Sequence, residues 1–225
     1  MDEIKMKELW QSSNTKLEEV LTITRKNAED ITRLKVNHFL SSMKPIKIFT
    51  VLVGLIWVGF GIVILINIIT NNFLNVSLFF LLSAGIQILL TATALIIYIY
   101  QLIVIYQVDM GGSVVATQEK LSVLKSSTIW IARILFLQLP LWTTFYLNES
   151  MFSNGQTFLH IIQAIVTFAF AYLAIWLFFN IKYENKDKKW FRLLFEGKEW
   201  TPIIKSLELY REIEEFKKEK VYVPV

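Results

Sequence analysis

The sequence predicts an all-α protein, a four-helix transmembrane bundle with cytoplasmic amphipathic N- and C-terminal helices. Three observations carry this. Residues 48–108 contain no Asp, Glu, Lys or Arg, an uncharged run of 61 residues. A second apolar block at 129–147 is interrupted only by Arg133, and a third at 158–181 carries no charge. A spanning helix needs roughly 20 apolar residues, so the first run holds two spans and a turn, and the other two blocks hold one each. All 23 Lys and Arg residues then fall on one side of the membrane.

Residues 1–45 form the expected N-terminal region. Residues 1–11 make a short amphipathic segment with Leu9 and Trp10 among charges, and Ser12, Ser13 and Asn14 mark a break. Thr15 followed by Glu18 fits a capping box, in which hydroxyl and carboxylate satisfy the first free amides of a helix. Leu17, Leu21, Ala28, Ile31 and Leu34 then recur at helical spacing and give one apolar stripe. Acids precede bases along this helix, as its dipole favours, and Pro45 is the expected boundary with the membrane.

The membrane domain is read as residues 46–181, with spans at about 48–69, 76–106, 129–147 and 158–181. The second apolar stretch, some 30 residues long, is about 45 Å as a helix. It outruns a hydrocarbon core of roughly 30 Å, so its end is expected to project, with Tyr98, Tyr100, Tyr106, Gln101 and Gln107 in the head-group zone. A short amphipathic helix over 114–125 should precede the third span, which Pro140 should bend. Arg133 lies one turn inside that span and is expected to snorkel to the interface. In the C-terminal region, 182–225, aromatics and bases alternate through Trp190, Phe191 and Arg192, a pattern suited to the membrane interface. Thr201 and Pro202 fit the start of a final helix, whose stripe is Leu207, Tyr210, Ile213 and Phe216.

Orientation follows from the bases. The N-terminal region together with Lys47 has nine, the middle loop with the start of the third span three, the C-terminal region eleven and the two opposite turns none. The positive-inside rule then places both termini in the cytoplasm, and a bacterial inner membrane is the expected location.

The composition excludes several functions. With no cysteine, disulfides, thiolate catalysis and Cys-ligated metals are ruled out. The net charge of +4 comes from bases interleaved with acids, which does not make the basic stripe that nucleic acid requires. No metalloprotease, nucleophile-elbow, phosphate-loop or dinucleotide motif is present. No enzymatic activity, cofactor or metal is therefore expected. Polar residues within the spans, among them Gln87, Thr91, Gln101, Gln138, Thr143, Gln163 and Thr167, are expected to bond between helices or to line a wet cavity. Gly59 and Gly61 are candidates for close helix approach.

Several short stretches resemble a group of small multi-pass inner-membrane proteins of Bacteroidota. They are Glu8-Leu9-Trp10-Gln11, the charged helix over 17–35, Tyr106-Gln107-Val108-Asp109, Gln118-Glu119-Lys120-Leu121 and Pro140-Leu141-Trp142. Met110-Gly111-Gly112 departs from the pattern. Such proteins are often encoded beside a sigma factor of the extracytoplasmic-function type, so the resemblance implies an anti-sigma-like regulator. A zinc-type anti-sigma site would need cysteines that this chain lacks.

The leading expectation is thus a membrane-tethered regulatory or scaffolding protein that binds a cytoplasmic partner. The candidate contact residues are Leu9, Trp10, Leu17, Leu21, Ile31, Leu34, Leu207, Tyr210, Ile213 and Phe216. Arg133, Trp190, Phe191 and Arg192 are the candidate membrane-interface residues. The alternatives are a homo-oligomeric pore or membrane-perturbing effector, and a structural subunit of a larger membrane complex.

Overall fold

The computed structural model describes residues 3–71, 73, 76–108, 114–148, 151, 157–195, 197 and 200–219; within these, side chains are described except at 3–5, 25, 114, 115 and 210–219. The helices are α1 (Glu3–Asn71), α2 (Leu78–Gln107), α3 (Val114–Phe136), α4 (Leu139–Thr144), α5 (Thr157–Asn180), α6 (Lys189–Phe195) and α7 (Trp200–Glu219), with a 3-10 turn at Tyr183–Asn185 between α5 and α6. Four stretches are long and apolar enough to cross a membrane: the second half of α1, α2, α3 with α4, and α5.

Neighbouring spans run antiparallel, as their paired residues show. Along α1 and α2 the pairs are Lys47 with Gln101, Gly54 with Leu95 and Gly61 with Ile88. Between α2 and α3–α4 they are Gln101 with Thr128, Thr91 with Gln138 and Ser83 with Thr144. Between α3–α4 and α5 they are Arg133 with Ile181 and Thr143 with Thr167. The outward faces of the spans are apolar and exposed, with Ile56, Phe168 and Tyr172 prominent, as suits lipid.

Two expected breaks are absent. α1 is one unbroken helix of 69 residues through Ser12–Asn14 and Pro45, roughly 100 Å long. Thr15 does not cap a helix start: its hydroxyl donates back to the carbonyl of Gln11 at 2.9 Å, inside the helix. Thr22 and Thr32 do the same toward Glu18 and Ala28. Such back-bonding satisfies a hydroxyl at small cost to the helix. Pro45 removes one helical hydrogen bond, but the helix is pinned on both sides of it. Leu40 and Met43 are buried before it and Lys47 after it. The expected separation of a short loop helix from the third span is likewise absent, because Ser127 and Thr128 back-bond to Val123 and Leu124 and α3 runs through them.

The break expected at Pro140 is present and falls just before it. α3 ends at Phe136, four residues upstream, where the proline ring excludes the helical carbonyl. Leu137 and Gln138 form a tightened turn, with Gln138 N donating to Leu135 O at 3.2 Å, and α4 restarts at Leu139.

At the basic end lies a compact core. Val36, Leu40 and Met43 of α1, Val104 and Ile105 of α2, Leu121 and Leu124 of α3 and Ile203 of α7 pack together. The tail of α2 thus packs on this core through Val104 and Ile105, while Tyr100 and Tyr106 stay exposed. Lys120 Nζ donates to the carbonyl of Gln107 and closes the C-terminus of α2. Gly54 and Gly61 let α1 approach α2: a Cβ on either would lie 2.8 Å from Leu95 Cδ1 or Ile88 Cδ1. Gly59, expected to share this role, faces open space.

Candidate functional site: a projecting arm on a polar-locked base

The residues by which α1 packs on the bundle are Val36, Leu40, Met43, Lys47, Gly54 and Gly61, spaced four, three, four, seven and seven apart. That spacing draws a single line along the helix. The stripe formed by Leu9, Trp10, Leu17, Leu21, Ile31 and Leu34 lies roughly a third of a turn away at 3.6 residues per turn. The residues that seat α1 in the bundle are thus distinct from those that give its first half an apolar face. All six stripe residues are exposed, Trp10 at 70% and Leu34 at 68%. Around the helix from Met6 to Ala28, every residue whose side chain is described is exposed. Glu29, Thr32 and Arg33 are half-buried, and full burial begins at Val36, where α7 and the ends of α2 and α3 meet α1.

The arm is held at its root by a buried polar network. Lys47 and Gln101 are both fully buried, at 0% exposure. Lys47 Nζ donates to Gln101 Oε1 at 2.5 Å and lies 4.7 Å from the centre of the Tyr98 ring. Gln101 Nε2 donates to Ser127 Oγ at 2.8 Å and Thr128 Oγ1 at 3.0 Å. A lysine side chain thereby ties α1 through one glutamine to α3. Gln101 is an interior residue, not the head-group marker expected, because the face of α2 that carries it turns toward α1 and α3. Sequence reasoning missed Lys47, which sits immediately before the uncharged run. Its signal was the spacing: it continues the line of Val36, Leu40 and Met43.

The remaining candidates divide. Leu207 packs on the core formed by α1, α2, α3 and α7, so it supports the arm rather than adding to its exposed stripe. Tyr210, Ile213 and Phe216 lie outside the described side chains. Arg133 is half-buried and reaches toward the end of α5. Its Nε donates to the carbonyl of Ile181 at 2.9 Å, just past the end of α5, and its guanidinium lies 5.3 Å from the Trp130 ring centre. A cation at a helix C-terminus complements the dipole and a free carbonyl. Phe191 is also not an interface residue, at 1% exposure. It fills the gap between α5 and α7, packed with Leu177, Ile181 and Trp200 and stacked on Phe195 with ring centres 4.4 Å apart. Trp190 is half-buried against Trp176, ring centres 5.0 Å apart. Arg192 is exposed and donates to the carbonyl of Asp187 at 3.1 Å. The apolar residues of α6 left facing outward are Leu193 and Leu194.

Lys186 joins the turn after α5 to α7 through Glu208 at 3.1 Å. The hydrogen bond that Lys186 donates to Glu208 holds its ammonium above the ordinary pKa, against a smaller opposing effect of burial, with Tyr183 adding to the rise. Among the described residues no cluster of three or more His, Cys, Asp or Glu is placed to hold a metal ion. His38 lies on α1 beside Phe39, and His160 near the start of α5 pairs with the carbonyl of Met151.

No family model, curated protein or solved structure matches this chain.

Proposed function

We propose that this chain is a membrane-tethered regulatory or scaffolding protein of the bacterial inner membrane, and that the first half of α1 captures a cytoplasmic protein. The observation that carries this reading is the exposed stripe on the arm, which joins neither core cluster of the described residues. Exposed apolar residues at helical spacing are unfavourable in water unless something covers them. A partner groove that accepts an amphipathic helix uses the same spacing. The arm is also rigidly mounted, because α1 continues unbroken from the stripe into the first span. A sigma factor is the partner class that the resemblance to the Bacteroidota proteins suggests, with the chain acting in an anti-sigma-like way.

The pairing of span polar groups favours this reading over a pore. Thr91 with Gln138, Ser83 with Thr144 and Thr143 with Thr167 bond each other across helix interfaces at 2.9–3.0 Å. Hydroxyls and amides used in this way hold helices together and do not line a lumen.

The test is affinity capture of the tagged full chain from its native membrane in mild detergent, followed by mass spectrometry. A stoichiometric cytoplasmic protein is expected. Recovery of this chain alone would contradict the proposal.

A further inference from the structure

We propose that the groove between α1, α2 and Phe145, just after α4, is a binding site for a membrane-soluble ring bearing a hydrogen-bonding oxygen, of the quinone type, held by the side-chain amide of Gln87. The groove is a cavity of about 190 Å³, with Trp57, Phe60, Gly61, Phe80 and Phe145 in its walls and Gln87 among them. Phe80 and Phe145 are tilted against each other, ring centres 4.7 Å apart. A dry apolar cavity of about 150 Å³ is known to hold a benzene ring, so this one has room for a single substituted ring whose tail runs out among the lipid chains.

Gln87 is the reason to expect a polar group on that ring. It is 8% exposed, and its side-chain amide makes no hydrogen bond among the described residues. Its backbone carbonyl accepts from Thr91. The neighbours one turn away on the same face of α2 are both satisfied across an interface, Ser83 by Thr144 and Thr91 by Gln138. Gln87 stands between two paired residues and is itself unpaired.

Depth makes this costly. Gln87 is nine residues into α2, which begins at Leu78, about 14 Å along the axis. That is near the middle of a hydrocarbon core of roughly 30 Å, where an amide without a partner is disfavoured. A water molecule needs two to four polar partners, and besides Gln87 the walls offer only the indole of Trp57. An acyl chain would fill the space and leave the amide unsatisfied. A ring carbonyl would accept from Nε2, and a ring hydroxyl would donate to Oε1, so the amide serves the oxidised and reduced forms of one ligand class.

The test uses the purified full chain in micelles with two probes, a decyl-substituted benzoquinone and decylbenzene, read by native mass spectrometry. The benzoquinone should form a single-ligand adduct, and decylbenzene should bind about tenfold more weakly, the scale of one lost hydrogen bond. Gln87→Leu should bring benzoquinone binding down to the level of decylbenzene. If that variant does not insert, Gln87→Met gives the same comparison with a side chain closer in shape. Equal binding of the two probes, or benzoquinone binding unchanged by either variant, would overturn the proposal and make the groove a seat for hydrocarbon chains. An absence of binding by either probe would overturn it as well.

Discussion

Lys47 donates to Gln101 across the α1–α2 interface, Nζ to Oε1 at 2.5 Å, with both side chains fully buried. The pair marks the level at which the charged half of α1 gives way to its apolar half. Truncating Gln101 would leave a buried lysine without its amide partner, and breaking a buried charged interaction from one side costs about 3 kcal/mol or more. Removing the lysine leaves a neutral amide that still bonds Ser127 and Thr128. Gln101→Leu should therefore lower the thermal midpoint in detergent more than Lys47→Met. The double variant should be more stable than the sum of the single losses implies, as expected for residues in one network. Additive losses would show that the pair is not coupled.

The glycines on α1 should not be equivalent. Gly54 and Gly61 sit against the ends of the Leu95 and Ile88 side chains, and Gly59 faces open space. A methyl group at 54 or 61 can be met by a shift of those flexible ends. A branched side chain forces the helices apart, at about 1–3 kcal/mol. Gly54→Ile and Gly61→Ile should reduce recovery of folded protein on size exclusion, while Gly59→Ile leaves it unchanged.

The Lys186–Glu208 contact should fail at alkaline pH. The folded pKa of Lys186 is raised above its ordinary value of 10.5. Its contribution to stability is therefore complete below that value and is lost as pH rises through the folded pKa. Tryptophan emission from Trp190 and Trp200, which flank this joint, should change as pH rises above about 10.5. Glu208→Gln should remove most of that change.

Substitutions on the arm should separate binding from folding. Leu17, Leu21 and Ile31 are exposed and belong to neither core cluster of the described residues. Changing each to Asp should alter stability by no more than about 0.5 kcal/mol and should abolish partner capture. A variant that still captures the partner would remove the stripe from the site.

The four long apolar helices were legible because lipid imposes a simple requirement, a continuous apolar run of sufficient length. The bend at Pro140 was legible for an equally local reason. The continuity of α1 was not, because Ser12, Ser13, Asn14 and Pro45 are helix-breaking signals of modest strength that back-bonding and tertiary pinning override. The site was legible in part. The stripe through Leu17, Leu21 and Ile31 was visible as periodicity, but its lack of an internal partner was not. Burial of Gln101 and Phe191 depends on which faces of α2 and α6 turn inward, and local sequence does not encode that when both faces are apolar. Lys47 was hidden for the same reason: a lysine at the edge of an apolar run has the composition of an interface residue whether it points out or in.

As one continuous helix, α1 carries the stripe away from the bundle. The chain has no cysteine, so spin labels can be placed cleanly at the exposed positions Ile31→Cys and Val63→Cys, on either side of Pro45, and their separation measured by pulsed electron resonance in lipid. An unbroken helix over these positions predicts a single narrow distribution near about 48 Å. A broad distribution, or one centred below roughly 35 Å where a break at Pro45 would fold the arm back, would contradict the account.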